Sequence, residues 1–81
     1  MKAIVHVALK NGVLDPQGKA VADTLARMGY KEGEAARIGK VIELDLEDGL
    51  SSDAAEARVR EMCEKLLANT VIESYRFDLV S

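Results

Sequence analysis

The sequence predicts an α+β domain with the ferredoxin-like order β-α-β-β-α-β, two helices packing on one face of a four-stranded antiparallel sheet. Two patterns carry this expectation. Period-two alternation of apolar residues marks strands near both ends and in the middle of the chain, and apolar stripes at spacings of three and four mark the helices between them. Right-handed crossovers then place both helices on the same side of the sheet.

Lys2 to Leu9 alternates, with Ala3, Val5, Val7 and Leu9 on one face and Ile4, His6 and Ala8 on the other. Asn11-Gly12 breaks that run as a turn. Asp15-Pro16 is a helix start: Asp is a favoured N-cap, and Pro suits the first helical position because an N–H there has no helical partner. Val21, Leu25 and Met28 form one stripe and Gly29 suits the C′ position, which gives a helix over Pro16–Met28. Glu34 to Ile38 is expected to be a short second strand, although "EAAR" has little β propensity. Gly39-Lys40 is the turn that follows, and Val41 to Glu47 alternates as the third strand.

"EDGLSSD" is a loop. Asp53, with Glu56 three residues on, has capping-box spacing, and Ser52 is an equally good cap. Val59, Met62, Cys63, Leu66 and Leu67 form the apolar stripe of the second helix, which Asn69-Thr70 ends. Val71 to Val80 is the last strand, with Val71, Glu73, Tyr75, Phe77 and Leu79 on one side. The sheet face without helices carries Ile4, His6, Ala8, Val41, Glu43, Ser74 and Arg76. An open face and an edge strand favour self-association or partner binding, because both leave bonding capacity outside the fold.

The 81 residues form a single domain, 1–81. Its stability is expected at about 4–12 kcal/mol by per-residue scaling. Fourteen Asp and Glu outnumber eleven Lys and Arg, which argues against a nucleic-acid binder. Tyr30, Tyr75 and Phe77 are the only aromatic residues, so no platform for stacking bases is expected. A single cysteine, Cys63, cannot form an intrachain disulfide and suits a reducing compartment. "MKAIVHVALKNG" lacks the long apolar core of a signal peptide. The expected location is cytoplasmic.

Chemical motifs are sparse. Gly18-Lys19 invites a phosphate-loop reading, but Gly12 lies six residues before Gly18 rather than five, and Ala20 replaces the Ser or Thr. A capped helix start explains the stretch better, although Gly18 in a first helical turn costs about 1 kcal/mol against Ala and suggests close approach of a neighbouring subunit. His6 has no Cys, Asp or Glu at ligand spacing, and Cys63 lies on an apolar stripe, so zinc is not expected. Aligning Gly49 with the glycine of a calcium loop puts Leu44, Leu46 and Ala55 where oxygen ligands belong. Arg37 and Lys40 flank the expected turn and could hold an anion or a partner's carboxylate, or could be a solvated hairpin tip. No nucleophile–base pair, carboxylate dyad or metal cluster emerges, so the expected product is a module without a catalytic site.

Four phrases in order, "VLDPQGKAV", "GY", "RIGKVIEL" and "MCEKLLANTVIESYRF", resemble the PurS family, the small subunit of phosphoribosylformylglycinamidine synthase. The resemblance runs nearly end to end. It implies a non-catalytic adaptor in purine biosynthesis that bridges a glutaminase subunit and a large synthetase subunit and assists ammonia transfer between them. The complex converts formylglycinamide ribonucleotide, glutamine and ATP to formylglycinamidine ribonucleotide. The resemblance also implies a homodimer or dimer of dimers, no cofactor on this chain, and ATP and magnesium on the large subunit. Among the matching residues, Gln17, Gly18, Arg37, Gly39, Lys40 and Glu73 are the expected partner interface. Family members often carry valine where this chain has Gly33 and Ala36, so its second strand is expected to be weaker. The same element order also resembles ACT domains, which bind small molecules near the first strand–helix loop. Tight saturable binding of an amino acid or purine intermediate to the lone chain would favour that alternative.

Overall fold

The computed structural model describes residues 1–30 and 36–80. Strand β1 spans Lys2–Leu9, helix α1 Pro16–Arg27, strand β2 Gly39–Asp45, helix α2 Ser52–Met62 and strand β3 Glu73–Val80. The last turn of α2 widens into a π-turn over Cys63–Leu67. The described strands form one antiparallel sheet in the order β2-β1-β3.

The expected second strand, Glu34–Ile38, is not among these strands. Glu34 and Ala35 lie outside the described residues, and Ala36–Ile38 are irregular. Gly39-Lys40 is not a turn either: Gly39 pairs with Ala8 and Lys40 with Val7, so these residues open β2. The bare Cα of Gly39 is what permits this pairing. A Cβ there would come 2.5 Å from the carbonyl oxygen of Val7.

The expectation that both helices cover the sheet holds only for α2. Because β2 is the antiparallel neighbour of β1, the chain need not cross the sheet between them. Among the described residues, α1 makes no substantial contact with a strand or with α2. The molecule is correspondingly long, 51 × 26 × 13 Å with a radius of gyration of 16.1 Å. A compact chain of this length would have about 12 Å. Leu14, Val21, Met28 and Tyr30 are exposed around α1.

Strand alternation sorts the sheet's two faces. Ala3, Val5 and Val7 are buried and lie opposite Leu44, Ile42 and Lys40 on one side and Leu79, Phe77 and Tyr75 on the other. Val59 and Cys63 of α2 are fully buried against this row, with Ala68 beside them. The other face is open, with rows Ile4–Glu43–Asp78, His6–Val41–Arg76 and Ala8–Gly39–Ser74, the expected set with Gly39 and Asp78 added. Its polar side chains pair locally: Lys2 Nζ lies 3.7 Å from Glu43, and His6 Nε2 lies 4.0 Å from Asp78.

The helix ends follow local chemistry. Asp15 caps α1, and Gly29 takes φ +94° just beyond its end. The cap of α2 is Ser51, one residue before the expected Ser52 and two before Asp53, because its Oγ accepts from the N–H of Ala54 at 3.1 Å. At the other end the N–H of Ala68 donates to the carbonyl of Cys63, five residues back, at 3.1 Å. That wider turn shifts the phase of the apolar stripe: Leu67 stays on the core, while Leu66 is 82% exposed. β3 starts at Glu73 rather than Val71, since Thr70–Ile72 form the turn before it.

Candidate functional site

The six residues expected at a partner interface gather at the corner where β1 gives way to α1. Gln17, Gly39, Lys40 and Glu73 line an open groove of about 420 Å³, with Asp15, Pro16, Ile38 and the end of β1. Gly18 and Arg37 are not part of its lining: Gly18 lies close against the Ala36 carbonyl, and Arg37 donates to the Leu9 carbonyl.

Asp15 builds this corner. Its Oδ1 accepts from the N–H of Gly18 at 2.8 Å, which caps α1, and its Oδ2 accepts from the N–H of Ile38 at 2.9 Å. The carboxylate therefore ties the start of α1 to the start of β2, across 23 residues of chain. The Ile38 N–H, then the Gly18 N–H and the Arg37 charge, hold the Asp15 carboxyl below its ordinary value. A depressed folded value means that the ionised form favours the folded state. The stabilisation is complete above the unfolded value of about 3.9 and is lost as pH falls through the lower folded value. Asp15→Asn keeps a cap-competent oxygen but presents a donor to one of two donors. It is expected to melt below the parent at neutral pH, with the difference shrinking below about pH 4. Thermal denaturation across pH 2–7 checks this; a pH-independent difference would contradict it.

Gly18 explains its own presence in a first helical turn. A Cβ on it would stand 2.4 Å from the carbonyl oxygen of Ala36 and 2.9 Å from the carboxyl of Asp15. This chain's own segment before β2 is that close neighbour, so the glycine has a reason within the fold, without appeal to another subunit. Arg37 also differs from expectation. It does not project from a hairpin tip: its Nη2 donates to the carbonyls of Leu9 at 2.6 Å and Lys10 at 3.2 Å, closing the end of β1. Lys40 lies in β2 on the helix-bearing side, opposite Val7, with its side chain exposed. Glu73 Oε1 accepts from the N–H of Asn69 at 2.7 Å, and Asn69 Oδ1 accepts from the N–H of Val71 at 3.2 Å. Glu73 thus shapes the turn into β3 while facing the groove.

The groove carries one cation, Lys40, two carboxylates, Asp15 and Glu73, and one side-chain amide, Gln17, among apolar groups. Elsewhere, Cys63 is fully buried, and burial pushes its thiol above the ordinary range, which suits a core residue. Among the described residues no three His, Cys, Asp or Glu side chains could together hold a metal ion. Among them too, no helix is long and apolar enough to cross a membrane.

Known proteins match nearly the whole chain. The family model described as PurS, phosphoribosylformylglycinamidine (FGAM) synthase, matches residues 2–81. The phosphoribosylformylglycinamidine synthase subunit PurS of Bacillus subtilis is 53% identical over 78 residues, covering 96% of this chain and 90% of that protein. Its counterpart from Archaeoglobus fulgidus is 44% identical, covering 93% and 92%. A crystal structure of B. subtilis PurS superposes with a TM-score of 0.85 at 51% identity, covering 99% and 98% of the two chains. A chain of the PurLQS structure from Thermotoga maritima superposes with a TM-score of 0.82 at 30% identity, covering 98% and 95%.

Proposed function

The chain belongs to the PurS family, a subunit of the ATP-dependent, glutamine-using phosphoribosylformylglycinamidine synthase of purine biosynthesis, and from that membership we propose that it is the complex's non-catalytic adaptor. The adaptor bridges a glutaminase subunit and a large synthetase subunit and assists the passage of ammonia from one to the other. ATP and magnesium reside on the large subunit, the chain works in the cytoplasm, and it self-associates as a dimer or a dimer of dimers.

The observation that carries this reading is the convergence of Gln17, Gly39, Lys40 and Glu73 on one open groove. They come from three separate stretches of the chain, and the side chains of Gln17, Lys40 and Glu73 suit gripping a partner's surface. Gly18 and Arg37 help to hold the segments that form this corner. The PurLQS structure supports the assembly, since a protein of the same fold and family is part of that complex.

The test is co-purification. The chain mixed with the glutaminase and synthetase subunits is expected to elute with both as one species. Lys40→Glu, which reverses the groove's cation without touching the core, is expected to weaken that assembly while the free chain melts as before. Separate elution of the parent chain, or saturable binding of an amino acid to the chain alone, would overturn the adaptor reading.

A further inference from the structure

We infer that Asn11 is a site of spontaneous covalent modification, its side-chain amide closing on the Gly12 nitrogen, and that the isoaspartyl product loosens the corner between β1 and α1. This goes beyond the adaptor reading and does not depend on it.

Asn11-Gly12 is the turn after β1, and no role described above uses its side chains. The turn runs from Lys10 to Val13 and is closed by the Val13 N–H donating to the Lys10 carbonyl at 3.1 Å. Gly12, in its third position, takes φ +88°, as a type II turn requires. Asn11 and Gly12 are both exposed. A Cβ on Gly12 would meet nothing within 4 Å, so the approach to its nitrogen is unobstructed. Among the described residues, no backbone carbonyl accepts the Gly12 N–H. Asn69, the other asparagine, is a natural control. The β-branched Thr70 follows it, and its Oδ1 accepts from the N–H of Val71 at 3.2 Å.

The chemistry needs only water and a base. The base removes the Gly12 amide proton, and the nitrogen attacks Cγ of Asn11 to close a five-membered ring. The new N–C bond forms, the Cγ–N bond of the side-chain amide breaks, and ammonia leaves with a proton from solvent. Water then opens the cyclic imide, and nothing is oxidised or reduced. Opening at the former side-chain carbonyl gives aspartate. Opening at the backbone carbonyl gives isoaspartate, with the main chain rerouted through the side chain. A type II turn sets ψ of its second residue at about +120°, which turns the Gly12 nitrogen away from the Asn11 side chain. The turn must therefore open first, and one exposed hydrogen bond slows the reaction by no more than about tenfold. Lys10 carries the consequence. Its N–H donates to the Ile72 carbonyl at 2.8 Å, and its own carbonyl accepts from Arg37 at 3.2 Å as well as from Val13. The extra backbone carbon of isoaspartate displaces Val13 from this junction of β1 with the segments before β2 and β3.

The test incubates the full chain at mildly alkaline pH, folded and in urea, and follows intact mass and peptide maps. Asn11 is expected to exchange NH2 for OH in the folded chain at a rate within about tenfold of that in urea. Aspartate and isoaspartate both appear at position 11, while Asn69 stays intact. Peptide mapping separates the event from Asp48-Gly49, where isomerisation changes no mass. Asn11→Gln, which would need a six-membered ring, is expected to lose the mass gain. The isoaspartyl form, separated by chromatography, is expected to melt below the parent, while Asn11→Asp melts with it. Three results would overturn the inference: an Asn11 that reacts in urea but stays intact in the folded chain, a mass gain that persists in Asn11→Gln, or an isoaspartyl form that melts like the parent.

Discussion

Gly18→Ala is expected to destabilise the chain by about 2 kcal/mol, within the range for overpacking a filled site. Helix propensity alone gives the opposite sign, because Ala in an unhindered helical position is more favourable than Gly by about 1 kcal/mol. Geometry decides. The added methyl would stand 2.4 Å from the Ala36 carbonyl oxygen, a backbone atom that moves only if the segment before β2 moves. That segment is fixed by the bond from the Ile38 N–H to Asp15 and by Arg37 gripping the carbonyls of Leu9 and Lys10. The substitution therefore parts α1 from the start of β2 and loosens both Asp15 bonds. Urea denaturation checks it, with exposed Lys19→Ala as a control expected to stay within about 0.5 kcal/mol of the parent. A stabilised Gly18→Ala would contradict the close approach.

Val59→Asp is expected to abolish cooperative folding. Val59 is fully buried between α2 and the row Ala3, Val5 and Val7, where a carboxylate would lose its hydration. An unpaired buried charge costs several kcal/mol, comparable with the whole stability of about 4–12 kcal/mol for a chain this size. The milder Val59→Ala removes two methyl groups and is expected to cost about 2 kcal/mol, leaving a folded protein. The ladder from parent to Ala to Asp separates lost packing from buried charge. Dispersion of amide resonances and the presence of a thermal transition are the readouts. A sharp melt in Val59→Asp would mean that α2 is not fastened to the sheet through this residue.

Much of the fold was legible because local signals and burial agree where the core lies. The alternation of Lys2–Leu9 and the Asp15-Pro16 helix start stand where the sequence places them. The open-face set of Ile4, His6, Ala8, Val41, Glu43, Ser74 and Arg76 follows from strand parity alone. Three features were not legible, each because tertiary context overrides a local rule. Gly39-Lys40 has turn composition, yet Gly39 serves to let β2 lie close to Val7. Leu66 keeps helical spacing, yet the π-turn rotates it into solvent. α1 is amphipathic, which suggests packing on the sheet, but the antiparallel pairing of β1 with β2 removes any need for a crossover.

The candidate site divides in the same way. "VLDPQGKAV" marked the corner, and Gln17, Lys40 and Glu73 reach its groove. The roles of Gly18 and Arg37 were hidden, because each depends on a contact with distant backbone, at Ala36 and at Leu9. Spacing along a strand or helix cannot report such contacts.

The adaptor role is tested most directly by measuring formylglycinamidine ribonucleotide formation by the glutaminase and synthetase subunits, with and without this chain. The nitrogen source is glutamine in one series and free ammonia in the other. The expected result is that the chain restores the glutamine-supported rate and leaves the ammonia-supported rate unchanged, since free ammonia needs no transfer between subunits. Equal glutamine-supported rates with and without the chain would contradict the adaptor role.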